Sequence, residues 1–330
     1  MDKSVHKLFI SILSLIFAVL LFGTVSYAWF SISTTGVVHN VTLGISSDNK
    51  FKISLDGINY YDSISHEDIM KVISNGFELG DVTSFDGKTF EKGGPSEFTL
   101  AEKNIDYLSL TLYFRTTAYE KNVYLVEDVS SEAYLDNAVD GTYVISKGIN
   151  WKADNTFING EDPKKDIINV GDRDMFYAAE AVRIGFVEKK INENKNDDRS
   201  EADLNSKIFD LSRKPERGYG TTYGSLDYYN VKHSSNIEPP IDAPEVVTTL
   251  SEFYQYNPYI PLDDNSYILR MIETDKVDPL GDTYYEGKVE MNIWLEGWDA
   301  DCFDAIFRDL LTIRLKFKGA RDILQERIYI

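Results

Sequence analysis

The chain has one cysteine, Cys302, so no intramolecular disulfide can form and burial must supply its stability. A single thiol also rules out cysteine-rich zinc sites. Only four histidines occur, His6, His39, His66 and His233, and they are scattered. His66-Glu67 begins like a zinc-protease helix, but Met70 stands where the second histidine belongs, and the motif fails. There is no glycine-rich phosphate loop, no serine-nucleophile elbow and no tandem repeat. Basic residues are also scarce: 34 Lys and Arg stand against 54 Asp and Glu, a net charge of −20. So acidic a chain repels nucleic acid and anionic lipid, which excludes direct DNA or RNA binding. The acidity reads as a solvated surface or as affinity for cations or a basic partner.

Charge is absent altogether from Leu8 to Phe30. As a helix this run would reach roughly 35 Å, enough to cross a hydrocarbon core. Lys3, His6 and Lys7 precede it. Residues 1–30 are therefore a secretory signal, or an uncleaved anchor with its N-terminus in the cytoplasm. Ser26 and Ala28 place small residues where signal peptidase reads, which favours cleavage between Ala28 and Trp29. The length of the run favours retention, because a signal core is usually about 7–15 residues. Either way the expected location is extracellular or at the cell surface, with membrane contact through Leu8–Phe30 if the run is kept.

Residues 31–330 read as one mainly β extracellular domain. Abundant Tyr (21) and Phe (18) favour strands. Val41, Leu43 and Ile45 alternate with polar residues, and so do Phe51, Ile53 and Leu55, followed by an Asp56-Gly57 turn signal. The clearest strand holds Leu108, Leu110, Leu112 and Phe114 inward, with Tyr107, Tyr113 and Arg115 outward. Val182, Ile184 and Phe186 repeat that period, as do Val289, Met291, Ile293 and Leu295, and then Ile313, Leu315 and Phe317. Ser65, with Asp68 three residues on, caps a short helix carrying Ile69, Val72, Ile73 and Phe77. The spacing of Phe303, Ile306, Phe307, Leu310 and Leu311 predicts a second helix. Residues 188–244, polar and weakly periodic, read as a partly mobile surface insertion. The expected fold is an antiparallel, jelly-roll-like β-sandwich with a few short helices, preceded by the N-terminal hydrophobic helix. Strands at both ends of the domain are expected to pair.

Glu296, Asp299, Asp301 and Asp304 crowd the predicted strand-to-helix turn. They could supply several oxygens to Ca²⁺, although the spacing is not that of an EF-hand. The alternative is that Asp299 or Asp301 caps the helix while the others favour its dipole. Trp294 and Trp298 could form a sugar platform or pack within the sheet. Cys302 reads as a buried, inert thiol. No catalytic residue and no cofactor beyond possible Ca²⁺ is expected, so the chain reads as non-enzymatic.

Two stretches, TVSYAWFSIS (Thr24–Ser33) and IWLEGWDADCFDAI (Ile293–Ile306), with KISLDGINYY (Lys52–Tyr61) in support, resemble secreted surface proteins of low-GC Gram-positive bacteria and their wall-less relatives. That broad group includes the TasA/camelysin-like biofilm-matrix proteins. The resemblance implies a jelly-roll-type sandwich, and in fibre-forming members a strand donated to a neighbour. The expected function is a structural or adhesive surface protein, such as a self-associating envelope or biofilm-matrix subunit. Its partners would be itself or other envelope and matrix proteins. The alternative is a calcium- or glycan-binding extracellular module. Trp29–Ile45 is the candidate donated strand; otherwise it pairs within its own domain.

Overall fold

The computed structural model describes residues 34–46, 50–73, 77–93, 98–127, 141–240 and 242–322. The hydrophobic run Leu8–Phe30, the Ala28–Trp29 junction and Trp29–Ser33 lie outside the described residues.

The two ends of the domain meet. Strand Thr35–Ile45 runs parallel to the C-terminal strand Asp309–Ala320, in register Val41↔Ile313, Leu43↔Leu315 and Ile45↔Phe317. All of these except Ile45 are fully buried. The alternation seen in sequence puts each of them on one face, and apolar burial drives the pairing. Because the pair is parallel, the sheet is mixed rather than antiparallel.

A second arm is built on the long strand Thr283–Glu296. It lies between Leu108–Thr116 and Val182–Lys189, antiparallel to both, with Met291 opposite Leu110 on one side and Phe186 on the other. Strand Glu78–Val82 joins the arms: its residues Glu78–Gly80 pair with Thr35–Val37, and its last two with Leu295 and Glu296. The result is a curled mixed sheet. Phe317 of the first arm meets Phe114 and Phe186 of the second, at ring-centroid distances of 5.0 and 5.9 Å, so both arms share one core. Each such Phe is worth about 1.5–3 kcal/mol of burial.

The helix after Ser65 forms as expected, over His66–Ile73. The Asp68 N–H donates to Ser65 Oγ, whose hydroxyl in turn bonds the Asp68 carboxylate. Ile69 and Ile73 are buried, while Val72 faces out.

The helix expected over residues 303–311 is absent. Asp304–Ile306 makes one 3-10 turn, and the chain is a strand again from Asp309. Two local features stop a helix there. Arg308 adopts φ +60°, and the buried Asp309 carboxylate accepts the Gly148 and Ala178 N–H groups. From Leu311 onward the period of two takes over, leaving Phe307 and Leu310 exposed.

Residues 188–244 are also more structured than their composition suggests. They supply strand Ser206–Phe209, paired to Ile184–Val187, and helix Ser225–His233. Ile208, Phe209, Leu226 and Tyr228 are buried. The polar side chains are ties: the Asn205 amide donates to the Tyr267 and Ile268 carbonyls, and Arg199 bridges Glu188 and Asp197.

Candidate functional site

The acidic residues stand where the long strand ends. Glu296 and Asp299 are almost fully buried. Glu296 accepts the Trp294 indole N–H at 3.0 Å and the Trp298 N–H at 3.2 Å. Asp299 takes Arg183 Nη2 at 2.5 Å and the Asp301 N–H at 2.8 Å. Asp301 forms a two-pronged pair with Arg217, both contacts at 2.8 Å. Asp304 faces Lys232 and accepts the Tyr228 hydroxyl at 3.1 Å. The four carboxylates therefore turn to four separate sets of donors. No group of three or more metal-ligating side chains suited to an ion occurs among the described residues. Without a helix behind them, Asp299 and Asp301 do not act as helix caps. They clamp the segment 210–218 to the strand end instead.

Arg183, from strand Val182–Lys189, is the hub. Its Nη2 also lies 2.9 Å from Asp210 and donates to the Gly218 carbonyl at 2.8 Å. Arg217 adds the Asn159 carbonyl and side chain. Burial raises Glu296 above the usual carboxylate range. Desolvation pushes Asp299 up as well, but the Arg183 guanidinium 2.5 Å away opposes it, and the reciprocal rise at Arg183 shows the two bound as an ion pair. Desolvation likewise pushes Asp81 up to about 7 and the Cys302 thiol well above its ordinary value. Such a thiol is a packing group, not a nucleophile.

Trp294 is fully buried, which corrects the sugar-platform reading for that residue. It packs edge-on to Phe90 at 5.1 Å in a second small core with Val82, Tyr107 and Ile208. Trp298 is half-buried.

The candidate donated strand is also placed. Thr35–Ile45 is paired on both edges, by Asp309–Phe317 on one side and by Glu78–Gly80 and Ser63–Ile64 on the other. It pairs within its own domain, and donating it would dismantle the sheet.

A different feature was missed in the sequence. Among the described residues, strand Tyr143–Ser146 pairs with Leu311–Arg314 along one edge only. The strand lines an open groove of about 1120 Å³, whose lining also includes Thr248–Phe253, Tyr177, Arg213 and Lys318. The Lys147 N–H donates to the Leu310 carbonyl. That bond sets the alternation, so the main-chain groups of Val144 and Ser146 point at the groove. Among the described residues neither has a main-chain partner there. The turn-rich sequence around residue 143 shows a strand but nothing about its free edge.

Fold and site together define a mainly β protein with a curled mixed sheet, a buried charge network and, among the described residues, a groove beside the second edge of Tyr143–Ser146. No family model matches the chain, and no curated protein or solved structure matches it either.

Proposed function

We propose that the protein is a non-enzymatic structural or adhesive component of the cell surface or extracellular matrix, either secreted or held by its N-terminal run, which self-associates through the open edge of Tyr143–Ser146. In this reading the curled sheet is a β-sandwich of jelly-roll type, as the resemblance to TasA/camelysin-like proteins implies. The carrying observation is the groove beside Val144 and Ser146. An unpaired edge is a template for another strand: main-chain hydrogen bonds give affinity and alternate side chains give register. The acidic centre supports a structural role, since each of its carboxyl groups is held by its own donors rather than aimed at a common point. A glycan is a poorer fit to the groove. The hydroxyls of Thr142, Ser146 and Ser251 already bond main-chain groups.

Sedimentation of the purified chain over a range of concentrations tests the proposal. Large species should grow with concentration and be lost in Val144→Pro, which removes one edge N–H without touching the bonds to Leu311–Arg314. A wild-type chain that stays monomeric throughout, or assembly unchanged in a folded Val144→Pro, overturns it.

A further inference from the structure

We propose that the end of the folded body where the chain enters, at Thr34, rests on a lipid surface through Ile105 and Phe307. The inference rests on the anchored arm of the proposed function, in which the run Leu8–Phe30 stays in the bilayer. The uncharged run ends at Phe30, and the body begins at Thr34. Four residue steps span at most about 14 Å. The headgroup zone on each side of the hydrocarbon core is about 5–8 Å deep. A retained run therefore holds whatever surrounds Thr34 at or just above the headgroups.

Hydrogen bonds locate what surrounds it. The Thr34 carbonyl accepts the Asp81 N–H. Next along the chain, the Thr35 carbonyl accepts the Arg308 N–H, and Thr35 is paired to Gly80, whose N–H donates to Asp106. Residues 307–308 thus lie about one strand spacing to one side of Thr35, and residues 105–106 about two to the other. Phe307 is 49% exposed there and Ile105 64%. Half-buried Trp298 belongs to the same end, three residues beyond Leu295, which pairs with Asp81. Aromatic and aliphatic side chains of this kind favour the membrane interface. Arg308 is paired with Glu78, Lys103 with Glu290 and Lys92 with Asp106, and exposed Glu102 adds a further acidic group, so this rim offers no surplus positive charge to an anionic surface. A zwitterionic surface suits it better than an anionic one.

Exposure alone does not single out this end, since Leu280, in the turn before strand Thr283–Glu296, is 86% exposed. What singles it out is the short tether, and Leu280 becomes the control.

The test uses the full chain reconstituted in phosphatidylcholine vesicles. A spin label is placed at Ile105→Cys, Phe307→Cys or Leu280→Cys in a Cys302→Ser background. Burial shields Cys302 from the label, so the unmodified residue serves as background if serine impairs folding. Accessibility to oxygen and to a water-soluble nickel chelate gives the depth. Labels at 105 and 307 should gain oxygen access and lose chelate access on reconstitution, while the label at 280 should stay aqueous. Aqueous labels at 105 and 307 in a chain that remains vesicle-bound overturn the inference and leave the anchor standing. A chain that does not partition into vesicles overturns both.

Discussion

Arg183 is shared by Asp299 and Asp210: one guanidinium nitrogen lies 2.5 Å from the first carboxylate and 2.9 Å from the second, and all three side chains are buried. Asp299 follows the long strand and Asp210 follows Ser206–Phe209, so Arg183 ties two neighbours of its own strand at one point. Removing it would strand two carboxylates away from water. Arg183→Met should therefore cost about 3–5 kcal/mol, the range for breaking a buried pair from one side. Asp210→Asn, which leaves the Arg183–Asp299 pair intact, should cost clearly less. Urea unfolding of the two variants decides it, and equal losses would mean that the shared contact is not what matters.

The same region sets the pH dependence of stability. Asp81 and Glu296 are raised in the folded state by burial, whereas the Arg183 guanidinium 2.5 Å from Asp299 favours the ionised form of that residue. A raised carboxyl holds its proton more tightly when folded, so its contribution is complete below the unfolded value and is lost as pH rises through the folded one. For Asp81 that window runs from 3.8 to about 7. Asp56, Asp68, Asp162 and Asp203 are depressed by hydrogen bonds, and their contribution fails at the acid end instead. The melting temperature should therefore be higher at pH 5 than at pH 8. A difference of about 5 °C corresponds to a kcal/mol or two at the usual ~2–4 °C each. Asp81→Asn should narrow the gap. Calorimetry showing the opposite slope would reject this assignment.

The strands that could be read from sequence are those with one face in the shared core. Leu108–Phe114 and Ile313–Phe317 alternate because one face is apolar and the other largely polar, and Val289–Leu295 keeps that alternation until Trp294 enters the second core on the opposite face. The reading failed where burial does not follow a simple period. Tyr107 looked outward, yet it is buried because the 83–92 segment covers that face, with Phe90 stacked on it at 3.9 Å. Gly185 permits the cover: a Cβ there would come 3.2 Å from Trp294, and 3.5 Å from Gly87. Residues 188–244 read as a partly mobile insertion because much of their order comes from ion pairs and amide-to-carbonyl bonds, which look in sequence like solvated charge. In the acidic cluster, residue identity was legible but partners were not, since Arg183 and Arg217 are remote in the chain.

Central placement of the N-terminal strand makes a further prediction. Deleting residues 29–45 should abolish folding rather than merely prevent assembly, because Thr35–Ile45 has partners on both edges. Leu43→Ala, at a fully buried position, should cost about 2–5 kcal/mol. Circular dichroism and denaturant unfolding read both. A folded deletion variant would show that the strand is dispensable.

Calcium should leave thermal stability unchanged. An ion that binds only the folded state raises its stability by RT ln(1 + [L]/Kd), so millimolar Ca²⁺ would reveal any useful site. Glu296, Asp299, Asp301 and Asp304 turn to Trp294, Arg183, Arg217 and Lys232 instead. A rise in melting temperature with Ca²⁺ that disappears in Asp299→Ala would restore the metal reading.

Two glycines give a paired test of the packing around Arg183. A Cβ on Gly218 would stand 2.6 Å from Arg183 Nη2, 2.7 Å from Asp210 Oδ2 and 2.8 Å from the Pro215 carbonyl oxygen, each closer than a Cβ contact allows. Gly218→Ala must therefore either push the pair apart or shift the segment 215–218, and overpacking of that sort typically costs about 1–3 kcal/mol. Gly44, inside the N-terminal strand, has nothing within 4 Å of its Cβ position. Its backbone is already extended and paired, with Lys316 on one side and Ser63 on the other. Gly44→Ala should then stabilise by roughly 0.5–1 kcal/mol, mainly by restricting the unfolded chain. Opposite signs in parallel melts would support the close approach at Gly218. A neutral Gly218→Ala would mean that Arg183 and Asp210 have more room than their 2.9 Å separation implies.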